Sequence, residues 1–428
     1  MSLRRLPWLV FALLVATGFW WVGRSRASAP ANDRVVLTWF SVITPLRDHY
    51  EAQAAAFMRA HPDIEVRILW VPNSEYNVKL KTLAAAGQLP DLFLSGDVWI
   101  SYLLPLTMDI TPFVERDAAQ FGLQDFFPQI QAAMKHEGRY YIMPEYMNLS
   151  LLYYNRKMFS DAGLPEPTGH WTWDDLVTAG KRLTHAGVAG QADIWGCSRV
   201  ESWWGEWLIY VRQAGGKVFT ADGRRCLLDS PEAITGLKFY EEKSSRHHFS
   251  APAGFEPLNG FVNQRVAMIV GGHVNYWLNY NQVPDLDWDV QLLPAGPAGR
   301  SGGELAMAGY SIARTSRHPE AAWELAKFLT RPAAIGEIVA RGSLAVRRSV
   351  AESSMQGPRR NAHPLNLAAA YAQFEYGEPI PRHPHFIEIM IQIVQPEVDR
   401  MLLGQLTPEE AGARAAAAVN AFLDTFDL

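Results

Sequence analysis

Strong charge is what this chain most lacks. With 39 Lys and Arg against 44 Asp and Glu, the 428 residues carry a net charge of −5. That balance gives no electrostatic reason to expect nucleic acid or an anionic membrane surface as a partner. Cysteine is scarce as well: only Cys197 and Cys226 occur, enough for one disulfide that spacing neither requires nor forbids. No His-Glu-x-x-His run is present, and the close histidines, His247-His248 and His383-Pro384-His385, read as solvated loop residues rather than metal ligands. The Ala295–Gly303 stretch is rich in glycine but has no lysine followed by Ser or Thr, so it reads as a connection between strands and not as a phosphate loop. Gly309-Tyr310-Ser311-Ile312-Ala313 matches only half of a nucleophile elbow. Asp97 and Glu145 are a conceivable carboxylate pair around a glycoside, but nothing marks a raised acid beside a nucleophile. Neither catalysis nor a cofactor is expected.

What is present is a folded, aromatic-rich chain. A hydrophobic fraction of 48% with 19% charged residues excludes disorder on a large scale. The length exceeds one ordinary core and, at about 150 residues per domain, indicates two or three. Tryptophan occurs 15 times; most of these rings belong in cores, yet such a supply also suits stacking on the apolar faces of sugar rings. At the N-terminus Arg4 and Arg5 precede the uncharged run Leu6–Gly23. That run is long for a signal peptide and just short of a comfortable membrane span, so residues 1–31 read as an export signal cleaved near Ala29-Pro30-Ala31 or as a retained anchor.

Past this leader the elements alternate. Val35–Trp39 reads as a buried strand; Leu46, Tyr50, Ala54 and Phe57 recur at helical spacing until His61-Pro62; Ile64, Val66, Ile68 and Trp70 alternate as a strand. Ser74 is placed to cap a second helix ending at Gly87, and Asp91–Ser95 follows as a third strand. Strand, helix, strand, helix, strand implies an α/β fold with a parallel sheet. Ligands of such sheets sit beyond the carboxyl ends of the strands, which here are Trp39-Phe40-Ser41 and Ser95-Gly96-Asp97. Later, Trp204, Trp207, Leu208 and Val211 form a helical stripe read mainly as core. Trp203 falls off that stripe and is the better candidate for an exposed stacking platform. Ser230-Pro231 and Pro319 open further helices, and Gln264–Val270 and Trp288–Leu293 read as strands.

The richest stretch is Gly138–Asp175. Tyr140–Met143 reads as a short strand, Pro144 as an interruption, and Leu149–Tyr154 as a second apolar strand, with Glu145, Tyr146 and Asn148 between them. Thr172-Trp173-Asp174-Asp175 has the pattern of a capping box, which starts a helix. This order, from Gly-x-x-Tyr through x-Pro, Leu-Tyr-Tyr-Asn and Ala-Gly-Leu-Pro to Trp-Thr-Trp-Asp-Asp, resembles extracellular solute-binding protein family 1, the carbohydrate-binding components of bacterial ABC importers. Gly87-Gln88-Leu89-Pro90-Asp91, Asp229-Ser230-Pro231-Glu232-Ala233, Arg265-Val266-Ala267-Met268 and His318-Pro319-Glu320-Ala321-Ala322-Trp323 extend the likeness over nearly all of the chain past the leader.

The resemblance implies a two-lobed periplasmic binding protein fold of type II, each lobe a mostly parallel sheet flanked by helices and joined by hinge crossovers. Residues 34–143 with 307–340 would form the first lobe, and 144–306 with 341–428 the second. It implies a sugar captured between the lobes and handed to ABC importer permease subunits by a monomer in the periplasm. With no cysteine in the leader, the lipid-anchored form is not expected. The ligand positions carried over are Tyr146 and Asn148 after the hinge proline, Gly309 and Tyr310, and Arg347. At the motif after Ala267-Met268 the expected tryptophan is Val274, leaving His273 and Trp277 as the nearby candidates. Trp39, Ser95, Asp97, Glu145, Trp203 and Trp204 complete the expected set. A glycerol phosphate ester in the same cleft, gripped by Arg347, and a membrane-tethered sugar sensor are the alternatives.

Overall fold

The computed structural model describes residues 34–96, 103–186, 193–198, 204–251, 257–300, 302–357 and 363–426. The leader therefore lies outside the described residues, as do Asp97 and Trp203. Among the described residues no helix is long and apolar enough to cross a membrane.

Three strands open the first lobe: β1 (Val35–Val42), β2 (Ile64–Val71) and β3 (Leu92–Gly96), with β1 parallel to both neighbours. Successive residues of a strand face opposite ways. Trp39 meets Tyr50 of the helix Arg47–Ala60, while Phe40 stacks on Tyr76 of the helix Tyr76–Ala85. The two connecting helices thus cover opposite faces. The second begins in a 3-10 turn, Asn73–Glu75, without a side-chain cap from Ser74, and Gly87 ends it at φ 66°. A short ribbon follows, β4 (Lys135–His136) and β5 (Arg139–Tyr140), turned by Gly138 at φ 81°.

The expected pair of strands around Pro144 is one strand, β6 (Met143–Asn155), 13 residues long. Pro144 is its second residue and sits beside a register shift, a place where a missing N–H is tolerated. The first half of β6 pairs with β9 (Leu305–Ile312) and β10 (Leu344–Ala345); its second half pairs with β7 (Met268–His273) and β8 (Trp288–Gln291). All four pairings are antiparallel, and β9 joins β3 to complete the order β10-β6-β9-β3-β1-β2. β6 is therefore the strand on which both lobes are built.

The change of partners falls at Leu149 and Ser150 on β6, where Ser150 N–H donates to Glu304 C=O at 3.0 Å as the chain crosses back. β10 still belongs to the first sheet, and the second lobe is reached by Asn366, whose N–H donates to Asp289 at 2.9 Å.

One core fills the first lobe and follows β6 through Leu151 and Tyr153 to Trp277 and Trp288; a second gathers Phe159, Leu176, Trp207, Leu237, Met390 and Val419. The helix Trp207–Gln213 is buried along its whole length, so its tryptophan stripe is packing. The capping box forms as the sequence predicts, with Thr172 and Asp175 exchanging backbone and side-chain hydrogen bonds. Cys197 and Cys226 are both buried and unbridged. His383 is 7% exposed and stacks on Phe219, 5.2 Å between ring centres, so it is not the solvated residue its motif predicts.

Candidate functional site

The parallel strands end at Val42, Val71 and Gly96, and β6 and β9 run on past that edge toward the second lobe. Register places Gly96 beside Ala308, Ala308 beside Tyr146 and Tyr146 beside Ala345. One aromatic ring therefore lies in a row of residues with almost no side chain. Tyr146, Asn148 and Ala308 are partly exposed, while Met147 and Leu149 between them are fully buried in the core. Alternation thus turns Tyr146 and Asn148 to one face, with Asn148 beside Ala306. Gly96 admits no larger residue, because a Cβ there would stand 2.6 Å from the Met307 carbonyl oxygen.

Behind this row lies a polar cluster in which, among the described residues, no cation is paired. Glu145 is 1% exposed and accepts hydrogen bonds from the Tyr50 hydroxyl at 3.1 Å and from the Tyr310 hydroxyl. Trp39 packs edge-on against both rings at 5.3 and 5.5 Å. Burial pushes the Glu145 carboxyl up to about 7, against the opposing effect of the two phenols. Burial first, and the Glu145 charge second, raise the pKa values of Tyr50 and Tyr310, so both stay protonated donors. Tyr50 was not among the expected site residues. Its spacing with Leu46, Ala54 and Phe57 marks the core face of a helix, and its carboxylate partner lies 95 positions away.

Several expected contacts belong to the interior. Trp39 is fully buried in the core and offers no stacking face, and Ser95 is likewise enclosed. Trp204 is 6% exposed and meets Phe386 edge-on at 5.4 Å. Trp277 is fully buried, donating its indole N–H to the Tyr153 hydroxyl at 2.6 Å. Glu145 and Tyr310 bond each other rather than facing the cleft. Gly309 serves a close backbone approach, since a Cβ would fall 2.0 Å from the Met143 carbonyl oxygen.

Arg347 is the largest correction. Its side chain is 2% exposed and donates to the carbonyls of Thr330 at 2.9 Å, Phe121 at 2.9 Å and Gly122 at 3.2 Å. It also pairs with Asp125 at 3.4 Å and lies 3.9 Å from the Phe126 ring centre. Burial lowers its pKa to about 10, with Asp125 opposing the shift. The guanidinium clasps the 121–125 turn to the end of the helix Pro319–Leu329. His273 closes β7 opposite Ser150, and its side chain lies outside the described atoms. The structure thus leaves Tyr146 and Asn148 partly exposed on one face of β6 and turns most of the remaining expected residues inward. Among the described residues no group of three or more His, Cys, Asp or Glu side chains is arranged to hold a metal ion.

Comparison with known proteins agrees with this architecture. Residues 44–335 match the family described as bacterial extracellular solute-binding protein. A maltotriose-binding protein of Pyrococcus abyssi is 25% identical over 321 residues, 72% of this chain and 66% of its own length. A mannitol-binding protein of Pseudomonas aeruginosa is 27% identical over 231 residues, 52% of this chain and 50% of its own. Among solved structures, an ABC substrate-binding protein of Listeria monocytogenes in complex with cycloalternan superposes with TM-score 0.81 at 23% identity, over 92% of this chain and all of its own. A solute-binding protein of Thermotoga lettingae bound with α-D-tagatose superposes with TM-score 0.75 at 25% identity, over 91% of this chain and 100% of its own.

Proposed function

The chain belongs to the bacterial extracellular solute-binding protein family, and on that premise we propose that it is the receptor of an ABC importer. It captures a carbohydrate between its lobes and delivers it to the membrane permease. The observation that carries this reading is the double use of β6: the strand that joins the lobes also presents Tyr146 and Asn148 at the carboxyl edge of the first sheet. A solute resting there touches the hinge itself. Contacts made to both lobes then favour the closed form, and that form presents the docking face to the permease.

Tyr146 supplies a flat apolar surface flanked by small residues, suited to a sugar ring. The Asn148 amide both donates and accepts, which matches hydroxyls and gives no attraction to a cation. The glycerol phosphate alternative loses its main support, because Arg347 is consumed by backbone carbonyls. The enzyme reading loses its carboxylate, because Glu145 faces two tyrosines inside the first lobe. The protein acts outside the cytoplasm, in keeping with an extracellular family.

Calorimetry of the exported chain against maltotriose, tagatose, mannitol and glycerol 3-phosphate tests the proposal. One neutral sugar or polyol binds stoichiometrically without turnover, and Tyr146→Ala weakens it about tenfold, the worth of one good aromatic contact. Steady release of product from a glycoside, or preference for the phosphate ester, overturns it.

A further inference from the structure

Glu145 is the extra residue of the hinge strand. Met143 pairs with Tyr310 and Pro144 with Gly309, but the next pair is Tyr146 with Ala308. Glu145 therefore has no opposite number on β9. Such an insertion bends a strand and re-aims the side chains beside it. Here one side chain goes inward to Tyr50 and Tyr310, and the next, Tyr146, lies in the partly exposed row described above. The bare Gly309 allows β9 to close against β6 just before the insertion.

The groups around the carboxyl are Tyr50 from the helix Arg47–Ala60, Tyr310 from β9 and Tyr146 from its own strand, with Trp39 of β1 behind the two phenols. Burial and the Tyr50 and Tyr310 hydrogen bonds account for its shifted proton affinity, with no contribution from a cation. A buried carboxylate without a cation depends on its hydrogen bonds. Ionised, Glu145 accepts from both phenols. Protonated, it accepts from one phenol and donates to the oxygen of the other, whose own hydrogen has to turn elsewhere.

We propose that Glu145 is a positioning residue of the solute site: bonded to Tyr50 and Tyr310, it holds the inserted turn of β6 that aims Tyr146 at the cleft, and losing or reversing one of those bonds loosens solute retention. This rests on the reading of the cleft as a carbohydrate site. Because burial places the carboxyl near pH 7, the loosened state is reached on mild acidification. Glu145→Gln copies the protonated form, since its amide oxygen accepts from one phenol while its NH2 can only donate to the oxygen of the other.

Two measurements on the full chain test this. The first needs no solute: tyrosine ring-carbon NMR, with the Tyr146 signal assigned through Tyr146→Phe. The Tyr146 signal moves with a midpoint close to that of the Glu145 carboxyl in the parent protein and stays still from pH 5.5 to 8.5 in Glu145→Gln. The second is calorimetry with maltotriose, tagatose and mannitol as probes. The parent protein weakens roughly five- to tenfold from pH 8.5 to 5.5, the equivalent of one hydrogen bond, while Glu145→Gln holds the acid value throughout. If Glu145→Gln fails to fold, Tyr310→Phe removes one of the two bonds and is expected to reproduce the weakened binding. A Tyr146 signal indifferent to Glu145, or a bound probe whose affinity is level across this range, overturns the inference. A chain that binds none of the probes counts against the carbohydrate reading, and the NMR result stands apart from it.

Discussion

Two buried glutamates, one in each lobe, are surrounded by nearly the same residue types, and they differ in one partner. Glu206 in the second lobe is fully buried, accepts from the Tyr210 hydroxyl at 3.2 Å and pairs with Lys243, itself fully buried. Lys243 also donates to the Ser198 carbonyl at 3.2 Å and lies over the rings of Tyr210 and Tyr240, 5.3 and 5.6 Å from their centres. Burial works against its ammonium, but Cys197 and Glu206 more than offset this and raise its pKa. Glu145 in the first lobe has two tyrosines and no cation. The first cluster sets a buried ammonium directly against its carboxylate, so it is architecture. The second changes protonation in the neutral range, and it sits on the strand that joins the lobes.

The largest effect tests the compensated cluster. Lys243→Met leaves Glu206 buried without its counter-charge, a change that costs about 3–5 kcal/mol when one partner of a buried pair is removed. Urea unfolding near neutral pH is expected to show that loss. A loss below about 1 kcal/mol breaks the comparison, because Glu206 would then need no cation.

The next effect belongs to Glu145 and has a defined sign. Its pKa is raised in the fold from 4.5 to about 7, so the native state binds the proton more tightly than the unfolded chain. The associated stability is fully present below about pH 4.5 and is lost as pH rises through about 7. Relative to Glu145→Gln, which does not titrate, the parent protein should lose on the order of 3 kcal/mol across that window. Paired unfolding curves at pH 4.5 and 8 measure the difference, and a constant gap between the two proteins removes the distinction drawn above.

This contrast also marks how far local sequence carries. The helix Arg47–Ala60 follows from the spacing of Leu46, Tyr50, Ala54 and Phe57, the strand Ile64–Val71 from strict alternation, and the helix entry at Thr172 from its capping box. Each is decided by neighbours a few positions apart. Glu145 meets its partners across 95 and 165 positions, and the inserted residue of β6 exists only in relation to β9. From the sequence it is a polar residue in an apolar run and resembles a ligand contact. Arg347 misleads in the same way: an arginine after the last crossing suggests recognition, yet its partners are carbonyls at Phe121, Gly122 and Thr330. That Tyr146 and Asn148 share one face of β6 follows from alternation with Met147 and Leu149, which is itself local.

The smallest effect separates the two tyrosine hydroxyls. Tyr210→Phe removes one donor from Glu206 but leaves Lys243 in place, so about 1 kcal/mol is lost, the net worth of a hydrogen bond, with no new dependence on pH. Tyr310→Phe has a comparable cost in mild acid, where protonated Glu145 needs only one phenol as a donor. Above neutral pH the cost grows, because the remaining carboxylate keeps only Tyr50, and with one of its charge-stabilising bonds gone the Glu145 pKa climbs further above about 7. The same deletion therefore yields a flat penalty in one lobe and a pH-dependent penalty in the other. Unfolding of both variants at pH 5 and 8 shows whether the cation alone accounts for the difference between the two clusters. Equal pH profiles would mean that the phenols, and not Lys243, set how a buried carboxylate behaves in this fold.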